Sequence, residues 1–225
     1  MLPIPPSRRP KVAAARGTVR RFSLAAAMLA MLAVGSVATA QSTASMPAPP
    51  YVRPHTPTLG PANAKVHLVE FLDPACEGCR AFYPIVKDVL AANKDRVRLY
   101  VRYAAIHKGA DYAVKALEAA RAQDRYWEAM TTLFARQSDW TRGHSVMPDK
   151  VVEVLATVPG VDIERLKRDI QKPEYAKIVE QDLADAKALK VMQTPTFFIN
   201  GKPLAEYTLE QLKAQVAAEV AAQYR

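Results

Sequence analysis

The 225-residue chain is poor in cysteine, with only two. Two cysteines exclude a small scaffold stapled by several disulfides, and they exclude a four-cysteine zinc site. Acidic residues are missing from the first 40 positions, where six basic residues stand alone (Arg8, Arg9, Lys11, Arg16, Arg20, Arg21). The chain also lacks a block of Lys and Arg interleaved with aromatics, and it lacks an internal repeat. Half of its residues are hydrophobic, so disorder throughout is excluded, and the length suits one domain carrying an insertion.

The formal net charge of +9 would ordinarily point to nucleic acid or an acidic membrane. Its location argues otherwise. After the basic start comes an apolar run, Phe22 to Val37, ending in Ala38-Thr39-Ala40. A positive n-region, a short apolar core and an Ala-x-Ala site predict a secretory signal peptide over residues 1–40, cleaved near Ala40. The run is interrupted by Gly35 and is shorter than the roughly 20 residues a membrane span needs. Arg20-Arg21 leaves the export route open between the general and the twin-arginine machinery. Removing six of the 31 basic residues leaves 25 against 22 acidic ones, a net charge of only +3. Nucleic acid is therefore not an expected partner, and the expected location is periplasmic or otherwise extracytoplasmic.

Residues 41–60 form a Pro-rich, extended leader with little core potential, too short to be a dimerisation domain, so a monomer is expected. Beyond it the periodicity predicts strands over Lys65–Leu72 and Arg96–Tyr103, with a helix over Cys76–Asn93 between them. Pro84 lies inside that helix, where it removes a backbone donor and predicts a kink. Helical patterns follow over Asp111–Gln123, Tyr126–Arg136 with Asp124 as its N-cap, Lys150–Thr157, Ile163–Gln171 and Glu174–Leu189. Trp127, Phe134 and Trp140 belong to the core of this block. Thr196–Ile199 is a short strand, Asn200-Gly201 a hairpin turn, and Lys202–Ala205 the return strand. Thr208-x-x-Gln211 is a capping box before the last helix, Leu209–Gln223.

The chemistry centres on Cys76-Glu77-Gly78-Cys79, directly after a strand and at the start of a helix. There a sulfur meets unpaired backbone N–H groups and the positive end of the helix dipole, and both favour thiolate. Cys76 is the expected nucleophile and Cys79, three residues on, the resolving thiol. A structural disulfide across two intervening residues adds little loop-closure stability. Half of a metal site is a further possibility, but the four histidines show no ligand spacing.

With Val69-Glu70-Phe71 before the cysteines and Thr194-Pro195-Thr196-Phe197 long after them, the chain resembles thioredoxin-fold thiol–disulfide oxidoreductases. The helical block between makes it similar to the DsbA family in particular. The resemblance covers residues 60–222 and implies an α/β, thioredoxin-like fold (β-α-β … β-β-α) with an inserted helical subdomain. The domain pieces would be 61–105 and 191–225, with the insertion at 106–190. It implies a redox-active Cys76–Cys79 disulfide with no other cofactor and no metal. It implies a cis-Pro195 opposite the cysteines, with Thr194 beside it binding substrate backbone. Glu70 would be a buried carboxyl that takes a proton from Cys79 when that thiol attacks the mixed disulfide. Reduced protein substrates and a membrane redox partner are the implied partners.

Strongly oxidising members of that family carry a histidine between the cysteines; here stand Glu77 and Gly78. An anion beside Cys76 predicts a less stabilised thiolate and a less oxidising pair. Oxidation of substrates is the favoured direction, with a reductase or isomerase as the alternative. A non-redox peptide-binding chaperone and a metallochaperone remain as rivals. Phe71, Phe82, Tyr83 and Met192 are candidates for an apolar rim around the cysteines.

Overall fold

The computed structural model describes residue 48 and residues 50–225, so the signal-peptide reading of residues 1–40 lies outside the described residues. The elements run in chain order as β1 (Thr58–Leu59), β2 (Val66–Leu72), α1 (Glu77–Ala92) and β3 (Val97–Tyr103). Then come α2 (Ala110–Arg121), α3 (Tyr126–Ala135), α4 (Gln137–Trp140), β4 (Thr141–Arg142), β5 (Ser145–Val146), α5 (Pro148–Leu155), α6 (Ile163–Asp169) and α7 (Pro173–Ala188). The chain closes with β6 (Thr196–Ile199), β7 (Lys202–Pro203) and α8 (Leu209–Gln223). This is the α/β, thioredoxin-like order with helices inserted between β3 and β6.

The main sheet has the order β1-β3-β2-β6-β7. Strand β2 lies at its centre, parallel to β3 and antiparallel to β6. All seven residues of β2 are buried, as a strand covered on both faces requires. Val66, Leu68 and Leu72 join the large core under α1, α8 and the helical insertion, while Val69 and Phe71 join a smaller cluster with Tyr100 and Phe198 on the opposite face. By the two-residue period of a strand, Glu70 faces the large core. Within the insertion Trp140 and Phe134 are buried, and Trp127 packs partly buried against the same core.

Several local expectations change. Asp124 does not cap α3; it sits at φ 58, a left-handed turn conformation, and the extended-to-helix position falls on Arg125, without a side-chain cap. Aspartate tolerates the left-handed region, and the α2–α3 turn uses it for that. Asp162 and Thr208 do cap their helices, accepting from the N–H groups of Arg165 and Gln211. Only half of the box at Thr208 forms, because the Thr208 N–H donates to the Glu206 carbonyl. Gly143 and His144, both at positive φ, join β4 to β5 in a hairpin that the helical pattern around it concealed. Helix α1 continues through Pro84.

The leader also contributes structure. Thr58 and Leu59 form β1, antiparallel to β3. Ahead of them the chain is stitched down by charge. Arg102 is fully buried, and its guanidinium contacts Asp182 at 2.7 Å and Asp185 at 2.6 Å, both on α7. It also donates to the Pro50 carbonyl at 2.6 Å. Arg53 makes a two-pronged pair with Asp185, and His55 Nε2 lies 2.6 Å from Asp182. Asp185 pays a burial cost that pushes its pKa up, yet the Arg53 and Arg102 guanidiniums hold it down at about 2. Arg102→Ala would take the buried guanidinium from both carboxylates, leaving Asp185 with Arg53 and Asp182 with His55 and the Tyr103 N–H, and removing one partner of a buried ion pair costs about 3 kcal/mol or more. Urea denaturation of the variant is expected to show that loss; an unchanged midpoint would mean that water satisfies Asp182.

Candidate active site

Cys76 occupies the N-cap of α1 with extended backbone, φ −77 and ψ 125, so its sulfur lies over the first helical turn. Cys79 lies one turn inward. The two differ in access, Cys76 being 8% exposed and Cys79 0%. They differ more in acidity. The Cys76 thiol is lowered from its ordinary value to about 5. The largest cause is the hydrogen bond from the Cys79 thiol. Burial opposes it, and Thr194 and the backbone N–H groups of Cys79 and Gly78 add to the lowering. Cys79 is pushed well above the ordinary thiol value, first by burial and then by its bond to Cys76. The helix start thus makes one thiolate and keeps one thiol.

The Thr194–Pro195 peptide bond is cis, and this loop faces the cysteines. In its protonated form the Cys76 thiol donates to the Thr194 carbonyl, 3.1 Å from Sγ. The Thr194 hydroxyl is buried and has no partner among neutral groups, which leaves it to the Cys76 sulfur once that sulfur is charged. Gly78 fits closely here. A Cβ at that position would lie 3.3 Å from both Pro195 Cδ and the Thr194 carbonyl oxygen, and 3.5 Å from Cys76 Sγ.

Glu70 sits in the central strand, 2% exposed. Burial raises its pKa from 4.5 to about 8, and the charge on Cys76 adds to the rise. At neutral pH it is therefore mostly a protonated carboxyl, a group able to give a proton to a nearby anion. Glu77 is exposed to water, so its charge is screened from Cys76, which is lowered in spite of it.

Two polar residues at this site were not picked out from the sequence. Asp73, fully buried, closes the turn after β2. Its Oδ1 accepts from the Ala75 N–H, and its Oδ2 from the N–H groups of Ile106 and His107 and from His107 Nδ1, each at 2.8 Å. Its own N–H points at Cys79 Sγ, 3.4 Å away. Gln137, on α4, is the other; its amide reaches the turn from the far side. An Asp-Pro that merely ends a strand and a glutamine in a helical block carry no signal of this.

The apolar rim differs from expectation. Phe71 is buried on the opposite face of the sheet and Phe82 is in the core. Tyr83 is half-buried, in a groove beside Arg80 and Lys87. Met192 is 86% exposed, and Ile106, next to the Asp73 turn, is 56% exposed. Among the described residues no group of three or more His, Cys, Asp or Glu side chains is placed to hold a metal ion.

A family model described as Thioredoxin matches residues 53–218. The chain belongs to the thioredoxin family. Its similarities lie with the DsbA-type oxidoreductases of that family. It is 26% identical to disulfide bond formation protein D of Bacillus subtilis, over 73% of this chain and 77% of that protein. The crystal structure of oxidised BdbD from Bacillus subtilis superposes with a TM-score of 0.65 at 26% identity, covering 74% of this chain and 94% of the other. A thioredoxin-like oxidoreductase from Silicibacter pomeroyi gives a TM-score of 0.61 at 29% identity, over 74% and 94% of the two chains. Part of the sodium/proton antiporter NhaA of Herminiimonas arsenicoxydans is also similar, 34% identical over 145 residues; this region is 64% of the present chain and spans only 22% of the antiporter.

Proposed function

We propose that the chain is an exported thiol–disulfide oxidoreductase that oxidises reduced protein substrates, working as a monomer with Cys76–Cys79 as its redox-active pair and no other cofactor. The observation that carries this is the division of labour between the sulfurs, one reachable and held near pKa 5, the other enclosed and held as thiol. A substrate thiolate attacks Cys76 Sγ of the disulfide, and the Cys76–Cys79 bond breaks. Cys79 leaves with the electron pair and takes a proton, for which protonated Glu70 is the donor. A second substrate thiolate attacks the substrate sulfur of the mixed disulfide. Cys76 then leaves as thiolate, and leaving is faster the lower the leaving thiol's pKa. The substrate ends as a disulfide and the enzyme as one thiolate and one thiol.

Thr194, beside cis-Pro195, presents backbone that an extended substrate can pair with, and exposed Met192 and Ile106 offer apolar contact to an unfolded chain. A membrane redox partner would return the dithiol to disulfide. Export rests on the basic, apolar and Ala-x-Ala order of residues 1–40, with cleavage near Ala40. Similarity to a stretch of a membrane antiporter supports work next to a membrane.

The test is the reduction potential of the pair, read against glutathione buffers, together with oxidation of a reduced two-cysteine peptide. A thiolate at pKa about 5 lies between those of DsbA and thioredoxin, about 3.5 and 7. The potential is expected between their values, about −120 and −270 mV. A value at or below the thioredoxin end, with no peptide oxidation, would reverse the direction and make the chain a reductase.

A further inference from the structure

The turn from Asp73 to Cys76 is held by residues from outside the β2–α1 unit. On one side are Ile106 and His107, through Asp73. On the other is Gln137, 3% exposed, on the four-residue helix α4. Its amide nitrogen donates to the Pro74 carbonyl at 2.9 Å and to the Cys76 carbonyl at 3.0 Å. A primary amide has two N–H groups, and here both go to the peptide groups that flank Ala75 and Cys76. The Cys76 carbonyl also accepts from the Arg80 N–H, the first bond of α1. Gln137 is itself fixed, because Trp140 Nε1 anchors α4 on the Leu133 carbonyl and Thr141 Oγ1 donates to the Gln137 carbonyl, both at 2.8 Å.

We infer that Gln137 is a positioning residue for the redox chemistry, through which the helical insertion keeps the Cys76 sulfur aimed at the first-turn N–H groups of α1. This rests on the redox reading of Cys76–Cys79 given above. The backbone at Cys76 sets the direction of its Cα–Cβ bond, and Gln137 holds the Cys76–Glu77 peptide plane together with the Pro74–Ala75 plane one residue before it. Donors turned well away from the sulfur lose most of their worth, since hydrogen bonds weaken steeply below about 120°. The buried Pro74 carbonyl without its donor would also pull the turn toward water, while the Cys76 carbonyl would keep only the Arg80 N–H. The dithiol form, with its thiolate in this cradle, is the state that Gln137 holds. Removing the clamp therefore raises the energy of the reduced form and makes the disulfide less oxidising.

The test uses the full chain with Gln137→Met, which keeps the volume and removes both donors, and Val154→Ala, in the buried core of the insertion, as a control. The readouts are the potential against glutathione and the Cys76 thiolate titration by absorbance. For Gln137→Met we expect the equilibrium with glutathione to move about tenfold toward the disulfide, which is about 30 mV for a two-electron couple. The Cys76 titration midpoint should rise with it. Val154→Ala should lower the thermal midpoint and leave potential and titration where they are. Unchanged potential in Gln137→Met, or equal shifts in both variants, would overturn the inference. If Gln137→Met does not fold, Gln137→Asn withdraws the same amide by one methylene and carries the test with the same expected signs. A wild-type protein that exchanges no thiols would instead sink the redox reading itself.

Discussion

Replacing Cys76 by serine is expected to reduce disulfide exchange to the uncatalysed background. The reason lies in access as well as chemistry. A hydroxyl cannot form or accept the mixed disulfide, and the remaining sulfur, Cys79, is fully enclosed and held as thiol well above the ordinary thiol value. It cannot take over. The companion variant Cys79→Ser separates the roles. Cys76 stays reachable and ionised, so it attacks disulfides in partner proteins, but no second thiol resolves the product. Mixed disulfides should accumulate and be visible on non-reducing gels. Turnover of a reduced peptide by Cys76→Ser at wild-type rate would show that the cysteine pair is not the reactive centre. Mixed disulfides formed by Cys76→Ser and not by Cys79→Ser would reverse the assignment of the two sulfurs.

Glu70→Gln is expected to change the pH dependence of stability. Glu70 goes from 4.5 to about 8 on burial. Between those values the folded chain holds a proton that the unfolded chain releases, so stability falls as pH rises. The contribution is complete below 4.5 and lost once pH passes about 8. The loss is about 1.4 kcal/mol per pH unit, on the order of 5 kcal/mol across the window. A glutamine in that place does not titrate. Urea midpoints of the oxidised protein should therefore separate, with the variant gaining on the wild type from pH 5 to pH 8. The oxidised form isolates the burial part of the effect, the larger cause, because in a disulfide Cys76 has no proton to lose and no charge to add to the rise. In the dithiol form the Cys76 contribution has the opposite sign. Its pKa is lowered from 9.0 to about 5, so its stabilisation is complete above 9.0 and lost as pH falls through about 5. The two slopes offset each other over most of their shared range. Parallel curves for wild type and variant in the oxidised form would place Glu70 in contact with water.

The parts of the fold legible in the sequence were those written in short-range spacing. Alternation marked β2 and β3, the apolar period marked α1 and most of the insertion, and Asn200-Gly201 marked the β6–β7 turn. The cysteine pair was legible because both residues lie within one helical turn. Pro195 and Glu70 were reached only through the family resemblance, since nothing local joins positions so far from the cysteines. What stayed hidden depends on contacts between distant segments. Arg102 alternates with Val101 as a solvent-facing residue would, and only the arrival of α7 and the leader buries it. Asp73 and Gln137 serve backbone groups of other segments, a use of polar side chains that leaves no periodic trace. Asp124 shows the reverse failure, in which a good capping residue is spent on a turn.

The close packing at Gly78 bears on how this motif can diversify. A side chain there points its first carbon at Pro195 and Thr194, so the proline loop has to yield slightly before any larger residue is admitted. Position 77 faces water and carries no such restriction. Mutational drift toward a histidine-bearing motif is therefore open at 77 by substitution alone, whereas at 78 it needs the proline loop to give by a few tenths of an ångström. Lineages that keep this loop should show their variety at the first intervening position and little at the second.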